Sequence, residues 1–286
     1  MAWDASATTF RFSFGEAAAP SVPDEAAGES YAGREEFPEL HPPSAGWSVE
    51  EVSLGGCVRS VLKAGALEVA AAAASVGAAT GASDLLPGRY EGGCKLWECG
   101  VDLARLLAGP QAPPLAGVCV LELGCGHGLP GCVAALRGAA SVTWQDYNTE
   151  VLHQLTAPAA LANLARCDPA LVHAPPHTPV AALRFFSGDW GHLHALLPFQ
   201  SYDLILTADT IYAPATMPRL LSLLTHCLSP TGVALVAAKS FYFGVGGGTE
   251  EFRGAVRAGG VLQARTVDRQ QDGASNVREI LELKHL

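Results

Sequence analysis

Three glycines at alternate positions, Gly124, Gly126 and Gly128, follow the apolar run 118–123. Without a Cβ, such a turn can bend sharply and bring backbone close to a ligand. Pro130 stands where a helix can begin, because its fixed φ and missing N–H both suit a first turn. The run 141–145 reads as a second strand and ends in Asp146, about twenty positions past the glycine turn, where a carboxylate can accept from a ribose diol. A third strand pattern ends in Gly188, Asp189 and Trp190. Asp189 there can accept from an adenine amino group while the indole covers the ring. The chemistry implied is nucleoside binding. The pattern is G-x-G-x-G rather than G-x-G-x-x-G, so a dinucleotide pyrophosphate is less well served, and no G-x-x-x-x-G-K-[ST] loop for a triphosphate is present. Each residue also has a plain structural reading: Asp146 or Asp189 as a helix cap or turn residue, Trp190 as core. Their arrival in order behind a glycine turn favours the site.

The elements that must position these residues alternate. Strand patterns cover 118–123, 141–146, 183–186, 202–208, 232–238, 261–267 and 278–284, and helical patterns cover 130–137, 149–165, 215–228 and 249–258. Such alternation argues for an α/β fold with a mostly parallel sheet and helices on both faces. Pro158 should kink or interrupt the second of those helices. A further helical pattern opens at Lys95 and closes at Gly109 and Pro110. Ligands of open α/β sheets bind at the carboxyl ends of strands. That edge gathers the glycine turn, 145–148, 185–190, 207–212 and 239–248. Residues 1–50 are expected to be a disordered acidic arm, with 9–14 as a short strand or docking motif within it or, more simply, solvated tail. Residues 51–87 are read as an accessory segment with a strand or helix at 57–62, residues 88–286 as the main domain, and 166–180, with four prolines, as a surface insertion.

Composition narrows the function classes. No apolar run of about eighteen residues appears, so no membrane span is expected, and the first residues lack the pattern of a secretory signal. The eight cysteines include no C-x-x-C pair, which points to a reduced intracellular protein without a zinc site. His192 and His194 alternate like two ligands, but no third is evident, and no metal is expected. His127, inside the glycine turn, is read as a solvent-facing turn residue. The formal net charge is -10. Residues 1–51 hold ten acids against Arg11 and Arg34, so most of that charge lies there. With no basic stripe, direct nucleic-acid binding is disfavoured, whereas a basic protein would be attracted.

The chain resembles the histidine protein methyltransferase family, the seven-strand class I enzymes that use S-adenosylmethionine to methylate a histidine of a large-subunit ribosomal protein. The likeness rests on the glycine turn and on Tyr90-Glu91-Gly92-Gly93, Leu96-Trp97-Glu98-Cys99, Gln145-Asp146-Tyr147-Asn148, the run 185–190, Tyr202 to Thr207, Thr210-Ile211-Tyr212 and the aromatic-led glycine run 242–248. It implies a donor site built from Leu96, Trp97, Glu98, Cys99, Gly100, Gly124, Gly126, Gln145, Asp146, Tyr147, Gly188, Asp189, Trp190 and Ala208. Trp97 and Glu98 would fold over the donor. Asp209 is the candidate to hold the acceptor imidazole, with Tyr212 and Tyr242 as walls or partners, and the alternative for Asp209 is a cap of the next helix. Family members carry Ser-Glu or a similar pair where this chain has Ala208-Asp209, so the acid is one carbon shorter. The glycine run suits a loop that admits a peptide and closes, or a plain turn. The resemblance further implies a monomer acting on the distal imidazole nitrogen of a ribosomal protein in cytoplasm and nucleus or nucleolus. A lysine methyltransferase of the same fold, and a non-catalytic nucleoside-binding module that holds a basic ribosomal protein, are the rival readings.

Overall fold

The computed structural model describes residues 32–38, 47–78, 84–167, 182–271 and 276–286. Its frame is an eight-stranded sheet in the order β1-β6-β5-β4-β7-β8-β10-β9. The strands are β1 (Arg34–Glu36), β4 (Cys119–Leu123), β5 (Ser141–Asp146), β6 (Ala182–Ser187), β7 (Tyr202–Ala208), β8 (Leu228–Lys239), β9 (Leu262–Gln270) and β10 (Arg278–His285). β6, β5, β4, β7 and β8 run parallel, and β10 and β9 close one side antiparallel. The strand order reverses beside β4, and that reversal opens a crevice above the strand ends. Side chains of the central strands alternate between two cores, as a period of two requires. Val120, Leu204, Leu206 and Leu235 join one core, and Leu121, Leu123, Ile205 and Val236 join the other.

Helices cover both faces. α2 (Glu98–Ala108) buries Leu103, Ala104 and Leu107 in the first core beside α3 (Leu129–Leu136). α6 (Met217–Cys227) and α7 (Thr249–Gly259) cover the second with Leu220, Leu224, Phe252 and Val256. Outside the sheet, β2 (Val49–Ser53) and β3 (Ser60–Ala64) form an antiparallel hairpin, followed by α1 (Ala66–Ser75).

All seven expected strands are present, and the structure adds an eighth. β1 lies within the stretch read as a disordered arm, and that reading is corrected there: Arg34–Glu36 pairs antiparallel with Phe185–Ser187. Glu36 anchors it. Its carboxylate is 8% exposed and accepts from Arg34, Ser187, Thr149 and His153. The run 57–62 resolves into the β2–β3 hairpin, whose first strand begins at Val49, inside the expected arm. Pro158 does not break its helix. α4 (Thr149–Val151) passes through a π turn, Leu152–Thr156, into α5 (Ala157–Cys167). There the Ala157 N–H reaches back to the carbonyl of Leu152. The expected motif at 9–14 and nearly all of the insertion at 166–180 lie outside the described residues.

Candidate active site

The glycine turn between β4 and α3 forms the floor of the crevice. Gly124 and Gly126 adopt φ of 60° and 50°, the left-handed region that side chains resist. A Cβ at Gly124 would lie 2.6 Å from Thr210, and one at Gly126 would lie 3.1 Å from the carbonyl of Gly93. Gln145 braces this floor. Its Oε1 accepts from the Gly124 N–H at 3.2 Å and from the Trp190 indole at 2.9 Å, and its Nε2 donates to the Gly188 carbonyl at 2.9 Å. One amide thus ties the glycine turn to the end of β6 and sets the Trp190 ring. Asp146 ends β5, 4% exposed, and accepts from the N–H groups of Gly126 (2.9 Å) and Asn148 (3.1 Å). Burial pushes its carboxyl up to about 6, against the lowering effect of those N–H groups. Asp189 caps the short turn Trp190–His192 through Gly191, at 2.8 Å, and its other oxygen pairs with Arg219 at 2.5 Å. It therefore fills the capping role as well as lining the crevice.

The crevice spans about 910 Å³, open solvent included. Its wall includes Leu96, Trp97, Gly100, Tyr147, Gly188, Ala208, Asp209 and Tyr212, together with the floor residues. Glu98, Cys99 and Tyr242 lie behind the wall. Glu98 pairs with Lys239 at 3.1 Å, and Cys99 and Tyr242 are buried in the two cores. The last two act through Asp209. The Cys99 N–H donates to Asp209 Oδ2 at 3.0 Å, and the Tyr242 hydroxyl donates to Oδ1 at 2.7 Å. Cys99 stands in the first turn of α2, so Asp209 does cap a helix, but it is the earlier α2 rather than the one that follows. Asp209 holds φ at 55° and is 7% exposed at the crevice wall, and burial raises its carboxyl above the usual range. The glycine run 244–248 forms a hydrogen-bonded turn beside Tyr242. Gly246 N–H bonds the Tyr242 carbonyl at 3.1 Å and Gly248 N–H bonds Ile211 at 3.0 Å.

Three residues of the site escape a reading of the chain in order. The segment 88–97 crosses the crevice as a strap. One bank holds it through the Tyr147 hydroxyl on Gly88 and the Asn148 amide on Arg89, both at 2.9 Å. The other bank holds it through the Tyr212 hydroxyl, which donates to Glu91. Glu91 thus faces the crevice, and burial raises its carboxyl. Under the strap lies His127, 3% exposed, with Nε2 donating to the Cys94 carbonyl at 3.0 Å. This corrects its reading as a solvent-facing residue: the strap, remote in sequence, covers it, and burial pushes its pKa down to about 4. Glu122, in β4, accepts from Gly131 N–H at 2.8 Å, and burial pushes it up to about 8. A charged residue amid an apolar strand was the available signal for it. His192 and His194 form no metal cluster; among the described residues no group of three or more His, Cys, Asp or Glu could hold an ion. No helix among them is long and apolar enough to cross a membrane.

Comparison with known proteins gives this crevice a context. Residues 88–242, more than half of the chain, match a family model described as "Lysine methyltransferase". The chain belongs to this methyltransferase family. Within it, the chain is 41% identical over 201 residues to histidine protein methyltransferase 1 homolog of Dictyostelium discoideum, covering 70% of this chain and 60% of that protein. It is 37% identical over 217 residues to the Mus musculus protein of the same name, covering 71% and 60%. A lysine-directed relative, protein N-lysine methyltransferase METTL21A of Danio rerio, is 36% identical over 148 residues, covering 51% of this chain and 61% of that one. The matches thus span about 60% of the length of these curated relatives. The family match includes the strap, the glycine turn and the ends of β5, β6 and β7, so it spans nearly every wall residue of the crevice.

Proposed function

We propose that this chain is an S-adenosylmethionine-dependent protein-histidine methyltransferase. The observation that carries the reading is the convergence of the glycine turn, Asp146 and Trp190 in one crevice of a chain whose relatives bear that name. The crevice residues fit the donor. Asp146 offers a buried carboxylate to a ribose diol, Trp190 offers an indole face held by Gln145, and a Cβ at Gly100 would meet only Ala208, at 4.0 Å, so the wall there is open. S-adenosylmethionine, when bound, supplies a methyl group on a sulfonium that is already electrophilic.

The protein's task is then chiefly position. An imidazole with an ordinary pKa near 6.5 is largely neutral at pH 7 and nucleophilic as it stands. What it needs is an acceptor for its other ring N–H. Asp209 is the candidate, and its bonds to Cys99 and Tyr242 fix where its oxygens point. Glu91, set by Tyr212 on the strap, is a second carboxylate facing the same space. A net charge of -10 favours a basic protein substrate. We take that substrate to be a large-subunit ribosomal protein methylated on the distal imidazole nitrogen, with effects on ribosome assembly or translation. A monomer working in cytoplasm and nucleus or nucleolus suits such a target.

The family description favours a second reading, lysine methylation. A lysine must first lose a proton, its pKa being near 10.4. One experiment separates the readings: transfer of labelled methyl from S-adenosylmethionine into ribosomal proteins of cells lacking this activity, followed by amino-acid analysis. Methylhistidine is expected. Methyllysine would move the chain to the rival class, and donor binding without any label would make it a binding module.

A further inference from the structure

Two large rings stand exposed beside the crevice. Phe241 is 47% exposed and Phe243 73%, and their rings meet edge to face with centroids 5.1 Å apart. Paired rings in water are an informative departure from the usual burial of aromatics. They are presented by a rigid loop. Ser240 N–H bonds the Val277 carbonyl at 2.8 Å, and the Asn276 amide holds the Phe241 carbonyl. Between the two rings, Tyr242 points inward to Asp209, so the loop that exposes the phenylalanines also backs the crevice wall. Its far end is seated on the same wall: a Cβ at Gly247 would lie 2.6 Å from the Tyr212 carbonyl.

The cations that border this side are each paired with an acid. The two segments that build it, 209–218 and 240–252, are bounded by Arg219, Lys239 and Arg253, which pair with Asp189, Glu98 and Glu250, and the exposed charged residues within them are Glu250 and Glu251. Glu250 and Glu251 open α7 and are exposed. Gly248, just before them, packs on the backbone of Ser240 and Phe241, so the start of α7 is held against the loop that carries the rings. Arg253 lies 3.4 Å from Glu250 and is itself mostly covered. Aromatic faces attract guanidinium and ammonium groups, and the attraction adds to that of nearby carboxylates.

We propose that Phe241 and Phe243, with Glu250 and Glu251, form the docking shelf for a basic segment flanking the target histidine. This deepens the function proposed above and rests on it for the identity of the acceptor. The shelf's rings are not among the residues that line the crevice, so they affect capture rather than methyl transfer.

The test compares wild type with the double variant Phe241→Ser/Phe243→Ser and with Glu250→Gln/Glu251→Gln. Methyl transfer into the ribosomal protein is measured at two salt concentrations, and donor affinity is measured by calorimetry. The phenylalanine variant should raise KM about tenfold with kcat and donor affinity held. The glutamine variant should raise KM at low salt and flatten its salt dependence, as expected for exposed charges. KM within twofold of wild type in both variants, with melting temperatures unchanged, overturns the shelf. If wild type transfers no methyl to histidine, the function proposed above fails, and the shelf is read separately from the anisotropy of a fluorescein-labelled Lys/Arg-rich peptide with one histidine. Weaker binding to both variants then supports it, and equal binding to all three proteins overturns it.

Discussion

At the scale of single residues, the proposed donor site draws on carboxylates taken out of water, and Asp146 shows the consequence most directly. Its folded-state carboxyl is pushed up to about 6 by full burial. Ribose hydroxyls donate to the ionised form and stabilise it, so donor binding should pull the group down again and release a proton when the free protein holds one. Donor affinity is therefore expected to be flat above about pH 7 and to weaken as pH falls through 6, approaching tenfold per pH unit below it. Calorimetry in buffers of different ionisation enthalpy would show proton release near pH 5.5 and none at pH 8. Asp146→Asn should remove the pH dependence and weaken binding by about tenfold or more, since a bond to a charged acceptor is worth roughly 1.5–3 kcal/mol. An affinity that is unchanged from pH 8 to 5 would show that Asp146 does not contact the ribose.

At the scale of elements, the π turn before Pro158 does more than accommodate a proline. Proline lacks the N–H that its helix would use, and the chain widens one turn ahead of it, at Leu152–Thr156. The widened turn places Thr156, fully buried, with its hydroxyl 2.6 Å from the Gly126 carbonyl. A helix on one side of the sheet thereby pins the glycine turn. Thr156→Val keeps the shape and removes the donor, leaving a buried carbonyl short of a partner at a cost of about 1–3 kcal/mol. A melting temperature lower by several degrees and a severalfold weaker donor affinity are expected, and an unchanged affinity would show that the floor does not need the pin. The same stretch shows what could be read from the chain. The central strands are legible because they are buried on both faces of a parallel sheet and read as short apolar runs bounded by turn residues. Pro158 announced a disturbance, but the π register depends on what Thr156 can reach across space. His127 and Glu91 were illegible as partners for the same reason, since the carbonyl that His127 meets belongs to Cys94, 33 residues earlier, and Glu91 pairs with Tyr212, 121 residues later. β8 was read from 232 but starts at Leu228, because Pro230 and Gly232 look like a turn when the neighbouring β7 is not in view.

At the scale of the whole molecule, the sheet ends on one side in a strand that no propensity would nominate. Arg-Glu-Glu has little β preference, and β1 exists because β6 offers an unpaired edge and Glu36 finds four donors there. Burial alone would raise the Glu36 carboxyl, but bonds from Ser187, Arg34, His153 and Thr149 outweigh it and hold the group below its usual 4.5. The sign of the linkage follows. A carboxyl with a lowered folded pKa contributes stability above its unfolded value, and that stability is lost as pH falls through the folded one. Glu36→Gln should therefore lower stability at pH 7 while changing little once the pH has fallen below the lowered folded-state pKa, so the acid side of the stability profile becomes flatter. Removing the chain through Phe37 should do more. It would uncover the outer edge of β6, where Phe185 and Phe186 are now buried, and bare edges of that kind invite pairing between molecules. Denaturant unfolding across pH and light scattering at rising concentration would separate the two effects. If β1 matters only through its carboxylate, the truncated chain and Glu36→Gln will match in stability and neither will aggregate. If the strand protects the edge, as its backbone pairing with β6 indicates, only the truncated chain will scatter light, and its loss of stability will persist in acid strong enough to protonate Glu36, where the carboxylate no longer contributes.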